Sequence, residues 1–497
     1  MLTEKEIMKL QNGSDVRGIA VDGVFGEAVN LTEEAVGRIT GGFVEFLAEK
    51  LSKPKNKLKI AIGHDSRISA QKLKSAAISA LLANGVEVLD CGLASTPAMF
   101  MSIIFAETKS DGSIMLTASH LPFNRNGMKF FTMSGGLDKD DIKKVLTNAT
   151  KILEVPTAKG DVTKFDLIGL YSKHLCKIIR DKLNIGEKPL EGMHIVVDAG
   201  NGGGGFFANK VLQPLGADTS GSQFLEPDGH FPNHIPNPED SKAMSAIRQA
   251  VLENHADLGL IFDTDVDRMS AVLSNGEEVN RNALIAMMAA ILAPDYPGST
   301  IVTDSVTSDG LQKFLEGTLK LKHHRFKRGY KNVINECIRL NQSGTVSPLA
   351  IETSGHGALS ENYYLDDGAY LAVKLLTAAA QARQNGKDLA DLIEKLEQPI
   401  ESVEYRLKID AEDFKGFGEK VLLAFKNNAV QKNIKLAEPN FEGVRLIFDE
   451  GWALLRVSLH DPNMPLNIES NVKGGCKKIC AQINELLTGV YPNLPIG

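Results

Sequence analysis

The chain has 497 residues, 43% of them apolar and 24% charged, with a formal net charge of −7. That length exceeds what one hydrophobic core organises and predicts several domains of ordinary globular composition. The mildly acidic balance argues against a dedicated nucleic-acid binder, so an anionic small substrate has to be met by local positive groups rather than by a global field.

Taken in chain order, the opening MLTEKEIMKLQNGSD has neither the apolar stretch of a secretion signal nor an Arg- and Ser-rich presequence. A cytoplasmic location is therefore expected, or a plastid or other organelle if a presequence was removed. Five scattered cysteines without zinc-like pairing read as reduced thiols. The segment LKIAIGHDSRISAQKLKSAAISALLANG is the first of three with one plan: an apolar strand ending in Asp, a polar or glycine-rich loop, then a helix. Its helix is expected to start from Ser69 as N-cap, to carry Leu73, Ala76, Ala77, Ala80 and Leu81 on one face, and to stop at Gly85. MLTASHLPFNRNGMKFFT follows, Met115 to Thr132, where a strand runs into an irregular loop. Ser119, with His120 beside it and Lys129 able to fold back toward it, is a nucleophile, a phosphate carrier or a turn residue.

The plan recurs in MHIVVDAGNGGGGFFANKVLQPLGA and in STIVTDSVTSDGLQKFLEG. Alternating buried strands and amphipathic helices predict α/β layers, and three copies predict three related domains. The longest apolar run, NALIAMMAAILA, is too short to span a bilayer and reads as a buried helix. The last hundred residues differ: VEYRLKID, VRLIFDE and WALLRVSL read as antiparallel strands flanking a helix near Phe414 to Asn427, an α+β unit. Seams are expected near Thr157 to Gly160, near Gly276 and near Pro399.

The most informative stretch is LGLIFDTDVDRMSAVL. An apolar strand runs out into Asp263, Asp265 and Asp267, and in an extended loop every second residue faces one side. Three converging carboxylates repel each other unless a cation sits between them, and Mg²⁺ suits a few carboxylates plus phosphate oxygens. An EF-hand is excluded, because its sixth and twelfth positions, Gly and Glu, are Arg268 and Ser274 here. Arg268, beside the acids, is placed to touch a transferring phosphoryl group. Further on, AIETSGHGALSEN sets Glu352, Ser354 and His356 around a turn, a set suited to sugar hydroxyls and, at His356, to moving a proton.

Two decoys accompany these motifs. Gly200, Gly202 and Gly205 between a strand and a helix, with Glu226 some twenty residues on, fit a dinucleotide-binding loop. Against that, Asp198 precedes the first glycine, where it would face an incoming pyrophosphate. LIFDTDVD also resembles the aspartyl-phosphate motif of haloacid dehalogenase-type enzymes, in which Asp263 would be the nucleophile, although Asp267 stands where those enzymes carry Thr or Val.

Read together, GSDVRG (Asp15, Arg17, Gly18), GHDSRIS (Asp65, Arg67, Ser69), TASHLPFNRNGMKFF, DTDVDR, ETSGH with the later DDG (Asp367, Gly368) and RVS (Arg456, Ser458) resemble the signatures of the α-D-phosphohexomutase family, in order and over almost the whole chain. The resemblance implies three related α/β domains with mixed sheets plus a C-terminal α+β domain around a central cleft, over residues 1–160, 161–277, 278–397 and 398–497. It implies interconversion of hexose 1-phosphate and hexose 6-phosphate, glucose favoured and mannose possible, through phosphorylated Ser119 and a hexose 1,6-bisphosphate. Ser119, Asp263, Asp265 and Asp267 would hold Mg²⁺. Arg17, Lys129 and Arg268 would surround the transferred group beside His120, with His356 or Lys129 as acid or base, and Glu352, Ser354, Arg456, Ser458 and Lys331 would bind substrate. No nucleic-acid or membrane partner is expected, and a monomer or weak dimer is. The chain departs from the family at Leu121, where Asn is usual, and in RVSLHDPNMPLNIES. There Leu459, His460 and Asp461 replace Gly/Asn, Thr and Glu, and Pro465 stands at a second Arg. His460, Lys473 or the basic run Lys322 to Lys331 can compensate. The alternative is a catalytically weakened sugar-phosphate-binding or scaffold protein of the same fold.

Overall fold

The computed structural model describes residues 2–154, 161–458 and 461–491. The seam expected near Thr157 to Gly160 and the substituted Leu459 and His460 lie outside the described residues. The chain groups into two units, Met1–Ile291 with Ser354–Leu392, and Leu292–Thr353 with Ile393–Gly497.

In the first unit, the central strands Lys59–His64 and Gly112–Leu116 are almost wholly buried and pair in parallel, as expected of near-continuous apolar runs covered on both faces. Glu87–Leu93 extends the sheet in parallel on one side, followed by Val162–Lys164, so this strand C-terminal to the expected seam belongs to the first sheet. On the other side Arg125–Thr132 and Asp15–Ile19 add antiparallel strands. The sheet is therefore mixed. The helix Glu33–Leu51 covers one face, with Phe43 and Phe130 ring centroids 4.7 Å apart. The helix Ala70–Ala83 begins after Ser69, but the Ser69 hydroxyl accepts a hydrogen bond from Asn126 Nδ2 at 2.8 Å instead of capping. A second sheet runs Glu278–Val279, Met269–Leu273, Leu258–Phe262, Ile195–Asp198, its last two strands parallel and the others antiparallel.

In the second unit, Thr300–Thr303 pairs in parallel with Lys322–Arg325 and Leu349–Ile351. The C-terminal sheet is antiparallel, in the order Glu401–Lys408, Asn463–Ser470, Gly451–Leu455, Val444–Phe448, Lys435–Leu436. The helices Phe414–Gln431 and Gly475–Leu487 pack against it, the first at the place the sequence predicts. No helix among the described residues is long and apolar enough to cross a membrane.

Candidate active site

Ser119 sits in the loop between Gly112–Leu116 and Arg125–Thr132, is buried, and has a left-handed backbone (φ 49°). Such a conformation is uncommon for a residue with a Cβ and has to be held by its surroundings. Four main-chain carbonyls of the loop, those of Ser119, Leu121, Pro122 and Arg125, accept hydrogen bonds from the buried guanidinium of Arg67. Leu121 thus contributes through its carbonyl, which any side chain leaves available.

The acidic loop reaches the same place from the second sheet. Asp263, Asp265 and Asp267 converge, with one carboxylate oxygen from each within 4.8 Å of the others. The reason is not the period-two alternation of an extended chain. The loop is a tight turn in which the Val266 N–H points to the Asp263 carbonyl at 3.3 Å and Val266 itself is left-handed (φ 64°). A β-branched residue in that region is strained. The Gly368 N–H donating to the Val266 carbonyl at 3.0 Å helps to hold it.

The hydroxyl of Ser119 donates to Asp263 Oδ2 at 2.8 Å and accepts from Arg268 Nη2 at 3.0 Å. Arg268 is buried, also donates through Nε to Asp263 (3.2 Å), and contacts His120 Nδ1. Lys129 Nζ lies 3.2 Å from Asp265 Oδ2 and donates to Asp267 Oδ2. His356 Nδ1 bonds to the Ser354 hydroxyl at 2.9 Å, and its Nε2 is 3.7 Å from Asp267 Oδ1. Arg17 is held by Asp15 at 2.9 Å, and its charge is felt at His120 and His356.

These charges set each other's protonation. Burial, then Asp267 and Asp265, push Asp263 well above the carboxylate range, whereas for Asp267 burial is outweighed by Lys129 and Arg268, which hold it low. Arg268, then burial, hold His120 well below the imidazole range, and burial followed by Arg268 and Lys129 does the same to His356. Both rings are neutral near pH 7. The residues fit a divalent cation: Asp265 Oδ1 and Asp267 Oδ1 are buried with no hydrogen-bond partner, an expensive state for carboxylate oxygens that a hard cation relieves.

The glycine run is explained without a nucleotide. Four of its N–H groups are already engaged, Gly200 with Asp198 Oδ1, Asn201 with Phe224 O, Gly202 with Ala199 O and Gly203 with Thr264 O. A Cβ on Gly202 would lie 2.7 Å from the Thr264 backbone, so the glycines let this turn press against the acidic loop.

The remaining candidates lie in the second unit. Glu352 Oε1 accepts from the Gly329 N–H at 2.6 Å, the Arg328 N–H donates to Glu442 at 3.1 Å, and Lys331 lies in the first turn of the helix Tyr330–Gln342 that follows. Arg456 is buried among the charges of Glu442, Arg328, Glu404 and Asp304. The Ser458 hydroxyl accepts from the Asp461 N–H at 3.2 Å, and Pro465 lies opposite Arg406 in the strand pair. Lys473 is exposed in the turn before the last helix. The basic run is not one patch. Arg325 donates to Thr307, Gln312, Ser308 and Asp309, and His324 pairs with Glu336, so both are committed internally.

Sequence reasoning missed Thr96, whose hydroxyl donates to Asp265 Oδ2 at 2.5 Å, and Asn237, whose Oδ1 accepts from Arg268 Nη1 at 3.2 Å. The only sequence signals are the helix-start dipeptide Thr96-Pro97 and the Pro-rich PNPED loop, and neither points to a partner.

The family descriptions phosphoglucomutase/phosphomannomutase, alpha/beta/alpha domains I, II and III match residues 8–155, 170–276 and 280–399. A protein of Pseudomonas syringae pv. tomato named phosphomannomutase/phosphoglucomutase is 30% identical over 97% of this chain and 96% of its own length. The chain belongs to the phosphoglucomutase/phosphomannomutase family. Another relative, a phosphoglucomutase of Neisseria gonorrhoeae, is 27% identical over 94% of both chains. In fold, this phosphohexomutase-family chain matches the crystal structure of a phosphoglucomutase/phosphomannomutase family protein from Burkholderia thailandensis, with a TM-score of 0.79 and 23% identity over the whole of both chains.

Proposed function

We propose that the chain is an intramolecular phosphotransferase: a Mg²⁺-dependent phosphohexomutase that interconverts hexose 1-phosphate and hexose 6-phosphate, glucose favoured and mannose possible, through phosphorylated Ser119 and a hexose 1,6-bisphosphate. The observation that carries this reading is the Ser119 hydroxyl, held at once by Asp263 and Arg268 beside two buried carboxylate oxygens that accept no hydrogen bond. Asp263, Asp265 and Asp267, with an oxygen of the phosphoserine, would hold Mg²⁺, which when bound supplies Lewis-acid polarisation of the phosphoryl group.

The chain's own residues supply the rest. A sugar hydroxyl forms the new P–O bond while the bond to Ser119 Oγ breaks, and the Arg268 Nη2 donor is already aimed at the oxygen on which charge develops. His356 or Lys129 would act as general base or acid, so that the sugar hydroxyl loses its proton and Ser119 Oγ regains one as the phosphoryl group leaves it. The second half-reaction returns the other phosphate of the bisphosphate to Ser119. Glu352 and Ser354 would bind sugar hydroxyls, and Arg456, Ser458 and Lys331 the phosphate that is not being transferred.

The altered loop after Arg456 is the feature that favours the second reading, a sugar-phosphate-binding protein with weakened turnover. A coupled assay with glucose 1-phosphate, Mg²⁺ and a trace of glucose 1,6-bisphosphate separates the two. Conversion, with mass spectrometry placing phosphate on the Ser119 peptide, is expected. Binding of the sugar phosphate without conversion would favour the second reading. A phosphoenzyme that decays in mild alkali would point to an acyl phosphate on Asp263 and overturn the serine assignment.

A further inference from the structure

One segment of the second domain has no task in this mechanism: Asp228–Asp240, with the sequence DGHFPNHIPNPED. It contains no helix or strand, so its place depends on side-chain anchors rather than on a backbone ladder. Those anchors fall on both arginines that flank Ser119. At its start, Gly229 lies flat on the loop that carries Arg67: a Cβ there would sit 2.4 Å from Ile68 N and 2.6 Å from Ser66 O. The Phe231 ring faces the Arg67 guanidinium carbon at 5.4 Å. At its end, the Asn237 side-chain oxygen accepts from Arg268 Nη1 at 3.2 Å, and the Glu239 carboxylate is 4.0 Å from the same nitrogen. Asp240 caps the helix Ser241–Asn254, which fixes the exit of the segment.

Between these two grips stands His234. Its Nε2 lies 3.0 and 3.1 Å from the two oxygens of Asp198, and its Nδ1 is 2.8 Å from the Ile235 carbonyl. Both ring nitrogens face acceptors, the arrangement of a charged imidazolium. Asp198 is fully buried and also accepts from the Gly200 N–H and Gln223 Nε2, so the acid is fixed and the histidine is fastened to it. The neighbouring Pro236 fills the space over Gly200, where a Cβ would lie 2.9 Å from it. Burial opposes charge on His234, but the hydrogen bond and field of Asp198 outweigh it and raise the ring above the ordinary imidazole value.

We infer that Asp228–Asp240 is a positioning strap that sets the guanidiniums of Arg67 and Arg268 around Ser119, and that the buried His234–Asp198 pair is the peg that holds it. This inference rests on the mutase reading for its catalytic consequence, since Arg268 donates to the oxygen whose bond to phosphorus is made and broken. A buried ion pair adds little net stability against an apolar pair, but its directional bonds hold a segment without helix or strand in one place. His234 and Asn237 are positioning residues, because neither touches the reacting atoms.

The test is a double-mutant cycle on the full chain. His234→Ala and Asn237→Ala are each expected to lower kcat about ten- to a hundredfold while KM for glucose 1-phosphate changes by less than about twofold, the pattern of misplacing a group that acts in the transition state. In an Arg268→Lys background, Asn237→Ala should cost little further, because the guanidinium it aims is gone, and His234→Ala should cost less than in the parent, retaining only its effect through Arg67. Loss by the same factor in both backgrounds, or unchanged kcat in Asn237→Ala, would overturn the strap. Should His234→Ala fail to fold, Asn237→Ala, which leaves the peg intact, carries the test. In protein labelled with ¹⁵N-arginine, the Nε–H signal of Arg268, assigned with Arg268→Lys, should shift in Asn237→Ala. An unmoved signal refutes the strap whether or not the protein turns over. A shifted signal in a protein that converts no hexose phosphate would instead refute only the mutase reading.

Discussion

Two buried clusters of charge, one in each unit, follow opposite rules. Around Ser119, three carboxylates face Lys129 and Arg268, two acid oxygens have no hydrogen-bond partner, and both Ser119 and Val266 are held in left-handed conformations. In the second unit, Arg445 donates to the carbonyls of Ser305 and Thr307 and to Asp309, and its guanidinium lies 3.6 Å from the Trp452 ring centroid, while Trp452 Nε1 donates to Glu469. Arg325 shares Asp309, so two cations meet two acids. The first cluster is open: it leaves two carboxylate oxygens unsatisfied, at a cost in folding energy that a bound cation would relieve. The second is closed: it matches its cations to its own acids and carbonyls, with Asp309 Oδ1 and Glu469 Oε2 both engaged although Arg445 Nε has no hydrogen-bond partner among the described residues, and serves the packing of the sheet.

Breaking the open cluster should cost activity rather than stability. The largest effect is expected of Ser119→Ala: turnover falls by more than ~10³-fold in the coupled assay, while stability changes by no more than about 2 kcal/mol, because Asp263 and Arg268, which lose its two hydrogen bonds, keep each other as partners. Asp265→Asn comes next, with a loss of at least about a hundredfold in kcat and weakened Mg²⁺ binding in a calorimetric titration. Its melting temperature should hold, since one of three mutually repelling acids is neutralised. Melting that collapses with either substitution would mean that this cluster, too, is structural.

Breaking the closed cluster should do the reverse. Arg445→Leu takes the donor from the buried carbonyls of Ser305 and Thr307 and the neighbouring cation from buried Glu469, while Asp309, about a third exposed, keeps Arg325, and it is expected to lose about 3–5 kcal/mol in denaturant unfolding. The folded protein should keep its kcat. Glu469 gives the smaller and sharper test. Burial, only partly offset by Arg445 and Trp452, raises its carboxyl from 4.5 to about 7. The folded state therefore holds that proton more tightly than the unfolded chain. Its contribution to stability is fully present below pH 4.5 and is lost as the pH rises through 7. Glu469→Gln, which keeps an acceptor for Trp452, should match the parent protein at pH 4.5 and exceed it by about 2–3 kcal/mol at pH 8. Equal stability at both pH values would remove the charge argument for this cluster.

The two clusters also differ in how far the sequence reveals them. The acids of the open one stand two residues apart after an apolar strand, and that spacing predicts their convergence, although through an alternation that the loop does not follow. It does not predict the turn at Val266, because a left-handed valine has no sequence signal. The closed cluster is invisible beforehand. Arg325 sits in a basic run that reads as charge for a phosphate, yet its partner Asp309 opens the short helix Asp309–Lys313 beyond a neighbouring strand. Ser69 shows the same limit on a smaller scale: its place before a helix is legible, whereas the choice of Asn126 over the helix N-terminus as partner is not.

By itself, the sequence determined what elements form and in what order, the repeated strand–loop–helix plan, and which loops carry hydroxyl, acid and guanidinium groups. Periodicity and turn chemistry act over a dozen residues or so, and within that reach the chain states its own structure. Tertiary structure alone decided the meetings: Ser119 with Asp263 across 144 positions, Lys129 with Asp267 across 138, and the PNPED loop with Arg268. Those distances are closed by the packing of sheets and helices from separate domains, and no local pattern encodes which side chain will be waiting on the other side.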